Sequence, residues 1–286
     1  MKLVIIVAAF LFMTSCSNSN SENINYNLTP VLLVHGSGLN SESWGKLKQY
    51  FIRHGYPAEY IYAVDLTPNN GRNIIAAQTQ LKPAVDKLLF EALDLCTKSN
   101  SLTCNMSKVD IVAHSMGAVS SRWYATRVHP EKVRKFVSIA GANHGTNALC
   151  GLKGDGNKEM CPAYSMDVEK NRVQVLLNSD PIMKYDQTPY GAGYDKDSYR
   201  KLPPDSMRKI YYFTLRIEND EWIVPDESGN LEGAGGVENF YNDSILFIES
   251  PKGNFKLSKK LAHDSLPQDV DVISFIQKLL QVSVNQ

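Results

Sequence analysis

Residues 109–117 read Val-Asp-Ile-Val-Ala-His-Ser-Met-Gly. The first five residues have the largely apolar pattern of a buried parallel strand, and a helical pattern begins at Met116. Ser115 lies on the turn between them, and the small residues Ala113 and Gly117 on either side allow that turn to be sharp. A serine that only caps the helix is the alternative. In this context, however, the spacing predicts a nucleophilic serine at a helix N-terminus, where backbone N–H groups stabilise negative charge.

Strand and helix patterns alternate along the chain from Pro30 onward. Strands are predicted at Val31–His35, Tyr60–Val64, Val109–Ala113, Val133–Ala140, Lys209–Arg216 and Ser244–Glu249. Helices are predicted at Ser43–Arg53, Ile74–Leu95, Met116–Arg127 and Val168–Leu177, and a last one is predicted to begin at a capping box, Ser265-x-x-Gln268. Repeated strand–helix units predict a mostly parallel sheet flanked by helices. We therefore expect one α/β domain over residues 29–286, with a cap-like insertion at about residues 143–206, where the alternation stops.

The loop after the first strand reads His35-Gly36-Ser37-Gly38. A nucleophilic serine that attacks a carbonyl needs two N–H donors for the oxyanion that develops. One donor is expected from the residue after the nucleophile, Met116, and the other from this glycine-rich loop. The Ser37 N–H is therefore the predicted second donor.

A serine nucleophile also needs a base and an acid, which follow it in the order Ser, Asp or Glu, His in this kind of fold. His263 lies after the last strand and before the last helix, and we expect it to be the base. The acid is predicted in the loop after Lys209–Arg216, where Asp220 is favoured and Glu221 competes with it. Four further residues are expected to line the substrate-binding site: His35, Gly36, His114 and His144.

The first 28 residues have the pattern of an export signal and a tether. Met1-Lys2 precedes an apolar run, Leu3–Met13, that is too short to span a bilayer as a helix. The ending Met-Thr-Ser-Cys16 resembles the lipobox of bacterial lipoproteins, in which the cysteine is lipidated. We therefore expect a signal peptide over residues 1–15, a lipid anchor at Cys16 and a flexible tether over residues 16–28. An ordinary secretory peptide is the alternative. The protein is then expected at the periplasmic or cell-surface side of a membrane.

Four cysteines follow Cys16: Cys96, Cys104, Cys150 and Cys161. An even number of cysteines in an exported chain predicts disulfides. Pairing each cysteine with its neighbour in sequence closes two short loops and is the expected arrangement. A metal site is disfavoured because no two of these cysteines form a Cys-x-x-Cys pair.

Charge excludes one large class of partners. The 286 residues contain 30 basic and 30 acidic side chains and have no formal net charge, whereas nucleic-acid-binding proteins carry a basic excess. The predicted chemistry requires no metal and no organic cofactor. We expect a monomer that meets a small ester or a lipid.

The sequence resembles the bacterial lipases and esterases of the α/β-hydrolase fold. The resemblance rests on Pro30–Gly36, Val109–Gly117, the Asp220–Pro225 loop and His263–Leu266, and Val133–Thr146 also resembles some polyhydroxyalkanoate depolymerases. It implies hydrolysis of carboxylic esters through an acyl-enzyme, with the triad Ser115, Asp220 or Glu221, and His263. A polyester depolymerase or an acyltransferase with the same triad, and a degenerate hydrolase used as a binding module, are the alternatives.

Overall fold

The computed structural model describes residues 24–99, 101, 103–104, 106–162, 172–178, 210–231, 247–249 and 253–282. The predicted signal peptide, Cys16 and most of the insertion lie outside these residues. The described strands form one seven-stranded sheet in the order β2-β1-β3-β4-β5-β7-β6, and all neighbouring pairs are parallel except β6 and β7. The predicted α/β fold with a mostly parallel sheet is confirmed.

The described elements follow the predicted order closely. The strands are β1 Val31–Val34, β2 Ile61–Val64, β3 Val109–His114, β4 Val133–Ile139, β5 Tyr211–Ile217, β6 Phe247–Glu249 and β7 Asn254–Leu257. The helices are α1 Gly45–Arg53, α2 Asn73–Ala76, α3 Lys82–Lys98, α4 Met116–Trp123, α5 Asp155–Glu159, α6 Arg172–Asn178 and α7 Val270–Gln281. A π-helical segment, Ala77–Leu81, joins α2 to α3, so that the predicted long helix is one continuous element.

The centre of the sheet is the most deeply buried part of the molecule. Every residue of β1 and of β3 is buried, because helices cover the sheet: α1 packs with α7, and α2 packs with α4. The charged residue of β3, Asp110, accepts a hydrogen bond from Arg134 Nε at 2.8 Å. On β4, Lys135 Nζ donates to the carbonyl oxygens of Leu280 and Val282, both at 2.7 Å, at the end of α7. These contacts hold the C-terminal helix against the sheet.

The C-terminal part differs from the prediction in two places. The strand β7 was not predicted, because Asn-Phe-Lys-Leu is short and its buried Asn254 looks unlike a core residue. Its amide is satisfied only in the tertiary structure, by Thr214 Oγ1 and the backbone of Leu231. The last helix also begins later than predicted. Residues 263–268 form a 3₁₀ segment that contains Pro267, and Asp269 caps α7 by accepting from the N–H groups of Asp271 and Val272.

Both disulfides join neighbouring cysteines, as predicted. Cys96 at the end of α3 pairs with Cys104, and Cys150 pairs with Cys161 after α5. In the part of the chain that the structure describes, no helix combines the length and the apolar composition needed to cross a membrane.

Candidate active site

Ser115 lies on a sharp turn between β3 and α4. Its backbone has φ 54° and ψ −124°, a left-handed conformation that is unfavourable for a residue with a side chain. The turn closes only because Gly117 lacks a side chain. A Cβ at Gly117 would lie 2.7 Å from the Val34 carbonyl oxygen at the end of β1. The strained turn presents Ser115, which is 7% exposed, at the carboxyl edge of the sheet.

The loop after β1 passes directly over the serine. A Cβ at Gly36 would lie 2.8 Å from Ser115 Cβ and 2.9 Å from His114 Nδ1, so that only glycine fits there. Ser37 follows Gly36, and Met116 is the first residue of α4, whose N–H has no acceptor within the helix. The two predicted oxyanion donors therefore belong to the two backbone segments that flank the serine.

The buried side chain of His35 stabilises this loop. Its Nε2 accepts the Leu66 N–H at 2.9 Å, so that Nδ1 carries the proton and donates to the Gly36 carbonyl oxygen at 2.8 Å. Burial lowers the pKa of His35, which keeps the ring neutral. The ring is fully buried and both of its nitrogens are occupied, so that His35 positions the loop that carries Gly36 and Ser37. The substrate contact that the sequence predicts for His35 stays a prediction.

The side chains of His263 and Asp220 meet at the same edge of the sheet. His263 Nδ1 lies 2.9 Å from both carboxylate oxygens of Asp220, and both side chains are almost completely buried. Asp220 Oδ1 also accepts the N–H groups of Trp222 at 2.8 Å and Ile223 at 3.0 Å. These donors fix the carboxylate, which in turn fixes the orientation of the imidazole.

Glu221 contacts a different part of the same histidine. Its carboxylate accepts the backbone N–H of His263 at 2.9 Å, whereas the ring of His263 contacts Asp220. Of the two acids that the sequence leaves open, Asp220 is therefore the one bonded to the imidazole. Glu221 holds the main chain that carries it.

The other edge of the His263 ring is free. Its Nε2 is buried and has no hydrogen-bond partner among the described residues. His114, which precedes the serine, packs against the ring with a centroid distance of 4.6 Å, and its Nε2 donates to the His263 carbonyl oxygen at 3.2 Å. Burial, followed by the nearby His263, lowers the pKa of His114 well below its usual value. His114 is fully buried and its observed contacts support His263, while its predicted role in substrate binding stays a prediction.

Residues 143–146 form hydrogen bonds with the loop that carries Asp220 and with the segment that follows it. The main-chain N–H of His144 donates to the Ser228 carbonyl oxygen at 2.9 Å, and Asn143 Nδ2 donates to Gly229 at 2.6 Å. Thr146 Oγ1 donates to the Trp222 carbonyl oxygen at 2.6 Å and accepts the Val224 N–H at 3.0 Å. Sequence reasoning noticed this segment but missed Asn143 and Thr146, because their partners lie more than 70 residues away.

The ring of His144 belongs to the same contact. Its Nδ1 lies 3.3 Å from the Ser228 carbonyl oxygen, and burial, followed by the charge of Arg122, lowers its pKa to about 4. The predicted role of His144 in substrate binding stays a prediction. Its observed contacts are with the acid loop.

Arg122 connects the described part of the insertion to the helix behind the nucleophile. Its guanidinium donates to the carbonyl oxygens of Asn143 at 2.6 Å and Leu177 at 2.9 Å, and to Asn178 Oδ1 at 3.0 Å. Burial lowers the pKa of Arg122 to about 10. The C-terminal end of α6 is thereby capped by a cation from α4. Sequence reasoning missed this residue, because an arginine in a helix pattern is typical of an exposed position.

One group of described residues has the ligand types of a metal site. His114, His263 and Asp264 each offer one atom, and these atoms lie within 4.8 Å of one another. Asp264 is exposed, and exposed acidic groups are common without an ion, so we assign no metal to this group.

Comparisons with known proteins bear on the family and the fold. Residues 28–168 match the family model described as Lipase (class 2). The fold is that of the Bacillus licheniformis lipase BlEst2 in its mature form, with 15% identity, a TM-score of 0.50, and coverage of 91% of this chain and 95% of that one. Aspergillus fumigatus lipase B aligns at 13% identity and a TM-score of 0.47, over 74% of this chain and 44% of that one.

A curated relative matches a shorter stretch. The (E)-2-((N-methylformamido)methylene)succinate hydrolase of Acinetobacter baylyi is 25% identical over 119 residues, which are 42% of this chain. The match spans 40% of the length of that relative. The chain thus has the fold of the α/β-hydrolases and, over residues 28–168, matches the family model of the class 2 lipases.

Proposed function

We propose that the protein is a serine hydrolase of carboxylic esters, with Ser115 as nucleophile, His263 as base and Asp220 as the acid that orients the base. The observation that carries this proposal is the state of the His263 ring. Its Nδ1 is held by Asp220, while its Nε2 is buried and unbonded among the described residues, at the edge of the sheet where the strained turn presents Ser115.

The proposed reaction proceeds through an acyl-enzyme. His263 Nε2 takes the proton of the Ser115 hydroxyl as Oγ attacks the ester carbonyl, and the Ser37 and Met116 N–H groups bind the oxyanion. When the tetrahedral intermediate collapses, His263 gives that proton to the leaving alcohol. A water molecule then loses a proton to His263 and attacks the acyl-enzyme, and Ser115 leaves with the proton that His263 returns. Asp220 stabilises the imidazolium in both steps.

The first experiment compares purified wild-type protein with Ser115→Ala on p-nitrophenyl esters from acetyl to palmitoyl. We expect kcat/KM to fall by about 10⁴-fold or more, because the variant has no nucleophile. Ser99→Ala, at the end of α3 on the opposite edge of the sheet, is the matched control and should keep full activity. Ester hydrolysis that survives in Ser115→Ala would overturn the proposal. The optimal acyl length separates an esterase from a lipase, and a polyester film added to the series tests the depolymerase alternative.

We also propose that the protein is exported and anchored by a lipid on Cys16. The support is the short apolar run of Leu3–Met13 followed by Thr-Ser-Cys16. Replacing Cys16 by alanine should release the protein from membranes.

A further inference from the structure

Residues 25–30, which join the tether to β1, are bound at one edge of the sheet. The Asn25 N–H donates to the Gly55 carbonyl oxygen at 2.9 Å, and the Tyr60 hydroxyl donates to the Tyr26 carbonyl oxygen at 3.1 Å. Gly55 follows α1, and Tyr60 immediately precedes β2. Both therefore lie where the parallel strands begin.

A second set of contacts fixes the same segment. Asn27 Oδ1 accepts hydrogen bonds from the hydroxyls of Ser101 at 2.9 Å and Thr103 at 3.0 Å. These two residues belong to the loop that the Cys96–Cys104 disulfide closes before β3. Farther on, the Pro30 carbonyl oxygen accepts the Asp110 N–H at 2.9 Å. Residues 25–30 are thus bound to the amino edge of the sheet.

The residues of the candidate active site lie at the opposite edge. Ser37 follows β1, Ser115 follows β3, Asp220 follows β5, and His263 follows β7. In a parallel sheet the carboxyl ends of the strands lie on one side, and ligands bind there. The six residues of β3 alone separate the two edges by roughly 20 Å.

The tether is short compared with the domain. Residues 25–28 of the predicted tether belong to the bound segment, so eight peptide links remain between Cys16 and Ile24, which gives a maximal reach of about 29 Å. A domain of this size has a radius of gyration of roughly 18 Å and hence a diameter of roughly 45 Å. The strands span roughly 20 Å of this diameter, and the loops at both edges account for the rest. If the active-site edge lay flat on the bilayer, the attachment point at the other end of the domain diameter would be farther from that bilayer than about 29 Å.

We propose that the active site of the anchored protein faces away from the bilayer that holds the anchor. The enzyme then acts on esters that arrive from the aqueous phase or on a second surface, and not on lipids of its own bilayer. This inference rests on the proposed ester hydrolysis and on the proposed lipid at Cys16. Fixation of residues 25–30 at the amino edge and the length of the tether carry it.

The test uses full-length lipidated protein in vesicles that contain a fluorogenic, non-exchanging triacylglycerol. The substrate is placed either in the vesicles that hold the protein or in separate protein-free vesicles. A site that faced its own bilayer would hydrolyse substrate in the same vesicles much faster, because the local concentration is higher. We expect instead that the rate on separate vesicles equals or exceeds the rate on the same vesicles.

The matched variant carries a flexible Gly/Ser insertion of about 30 residues after Asn20, which extends the reach beyond the domain diameter. We expect it to raise the rate on the same vesicles at least tenfold and to leave the rate on separate vesicles unchanged. Faster hydrolysis in the same vesicles by the native tether, with no gain on extension, would overturn the inference.

Two controls separate this inference from the proposals beneath it. Cys16→Ala protein assayed on p-nitrophenyl butyrate reports ester hydrolysis without an anchor, and its inactivity would reject the proposed function. Wild-type protein that fails to float with vesicles would reject the anchor, and the inference with it, while leaving ester hydrolysis intact.

Discussion

The two adjacent acids Asp220 and Glu221 hold two different parts of one histidine. Asp220 contacts the imidazole, and Glu221 contacts the backbone N–H of His263. His114 holds the carbonyl oxygen of the same residue from the other side. Three side chains thus restrain the ring, the N–H and the C=O of the proposed base, which is the preorganisation that proton transfer to and from a fixed nucleophile requires.

Matched substitutions of the two acids distinguish their roles. We expect Asp220→Asn to lower kcat by about 10⁴-fold, because an amide can donate to Nδ1 and so favours the wrong tautomer of His263. Glu221→Gln keeps an oxygen acceptor for the His263 N–H and should cost less than about threefold, whereas Glu221→Ala loses one hydrogen bond and should cost about tenfold. Steady-state kinetics on one p-nitrophenyl ester measures all three. A loss in Glu221→Gln as large as in Asp220→Asn would contradict the assignment.

The turn between β3 and α4 stores backbone strain at Ser115, the proposed nucleophile. Ser115 has φ 54°, which costs a residue with a Cβ about 1–2 kcal/mol. The turn persists because β3 is buried along its whole length and Gly117 packs against the backbone of Val34. The strained turn thus lowers the stability of the fold at the position where the Ser115 hydroxyl must reach the substrate.

Glycine at position 115 should release this strain. We expect the free energy of unfolding of Ser115→Gly to exceed that of Ser115→Ala by about 1 kcal/mol in urea titrations, because glycine adopts positive φ freely. Ser121, inside α4, is the matched control. There, Ser121→Gly should be less stable than Ser121→Ala by about 1 kcal/mol, because glycine is a poor helix former. The same sign at both positions would show that the turn is unstrained.

Across the molecule, buried neutral histidines surround the candidate active site. Burial is the largest cause that lowers the pKa of His35, His114 and His144, in the last case to about 4. Their rings brace the loop after β1, the proposed base and the acid loop, respectively. Acid therefore acts on the supports of the site as well as on its reacting groups.

The stability of the fold should fall as the pH decreases from about 6.5 to 5. In this range the unfolded chain binds a proton on each of these three imidazoles, whereas burial lowers their pKa in the folded chain and so disfavours that proton. Stability therefore rises with pH by up to about 1.4 kcal/mol per pH unit for each histidine. Urea titrations from pH 7 to 5 measure how the free energy of unfolding changes with pH. His144→Gln should reduce this slope by the contribution of one histidine. An unchanged slope in that variant would show that His144 binds its proton equally in both states.

Local pattern was sufficient for most of the fold. Strands such as β1 and β3 are continuous apolar runs, and the turn at Ser115 needs small residues two positions away on either side, so that both can be recognised within nine residues. The paired cysteines, 8 and 11 residues apart, are similarly local. The strand β7 escaped prediction because Asn254 can be buried only with Thr214 and Leu231 beside it.

The sequence by itself determined the α/β order of the elements, the serine turn and the histidine before the last helix, because these depend on interactions between residues close in the chain. Only the tertiary structure shows which of Asp220 and Glu221, neighbours with the same charge, contacts the ring of His263. Thr146 contacts Trp222 and Val224 from more than 70 residues away, and the N–H groups of Trp222 and Ile223 bind Asp220. Such long-range contacts orient one carboxylate toward the ring of His263 and the other toward its backbone, and no local pattern encodes them.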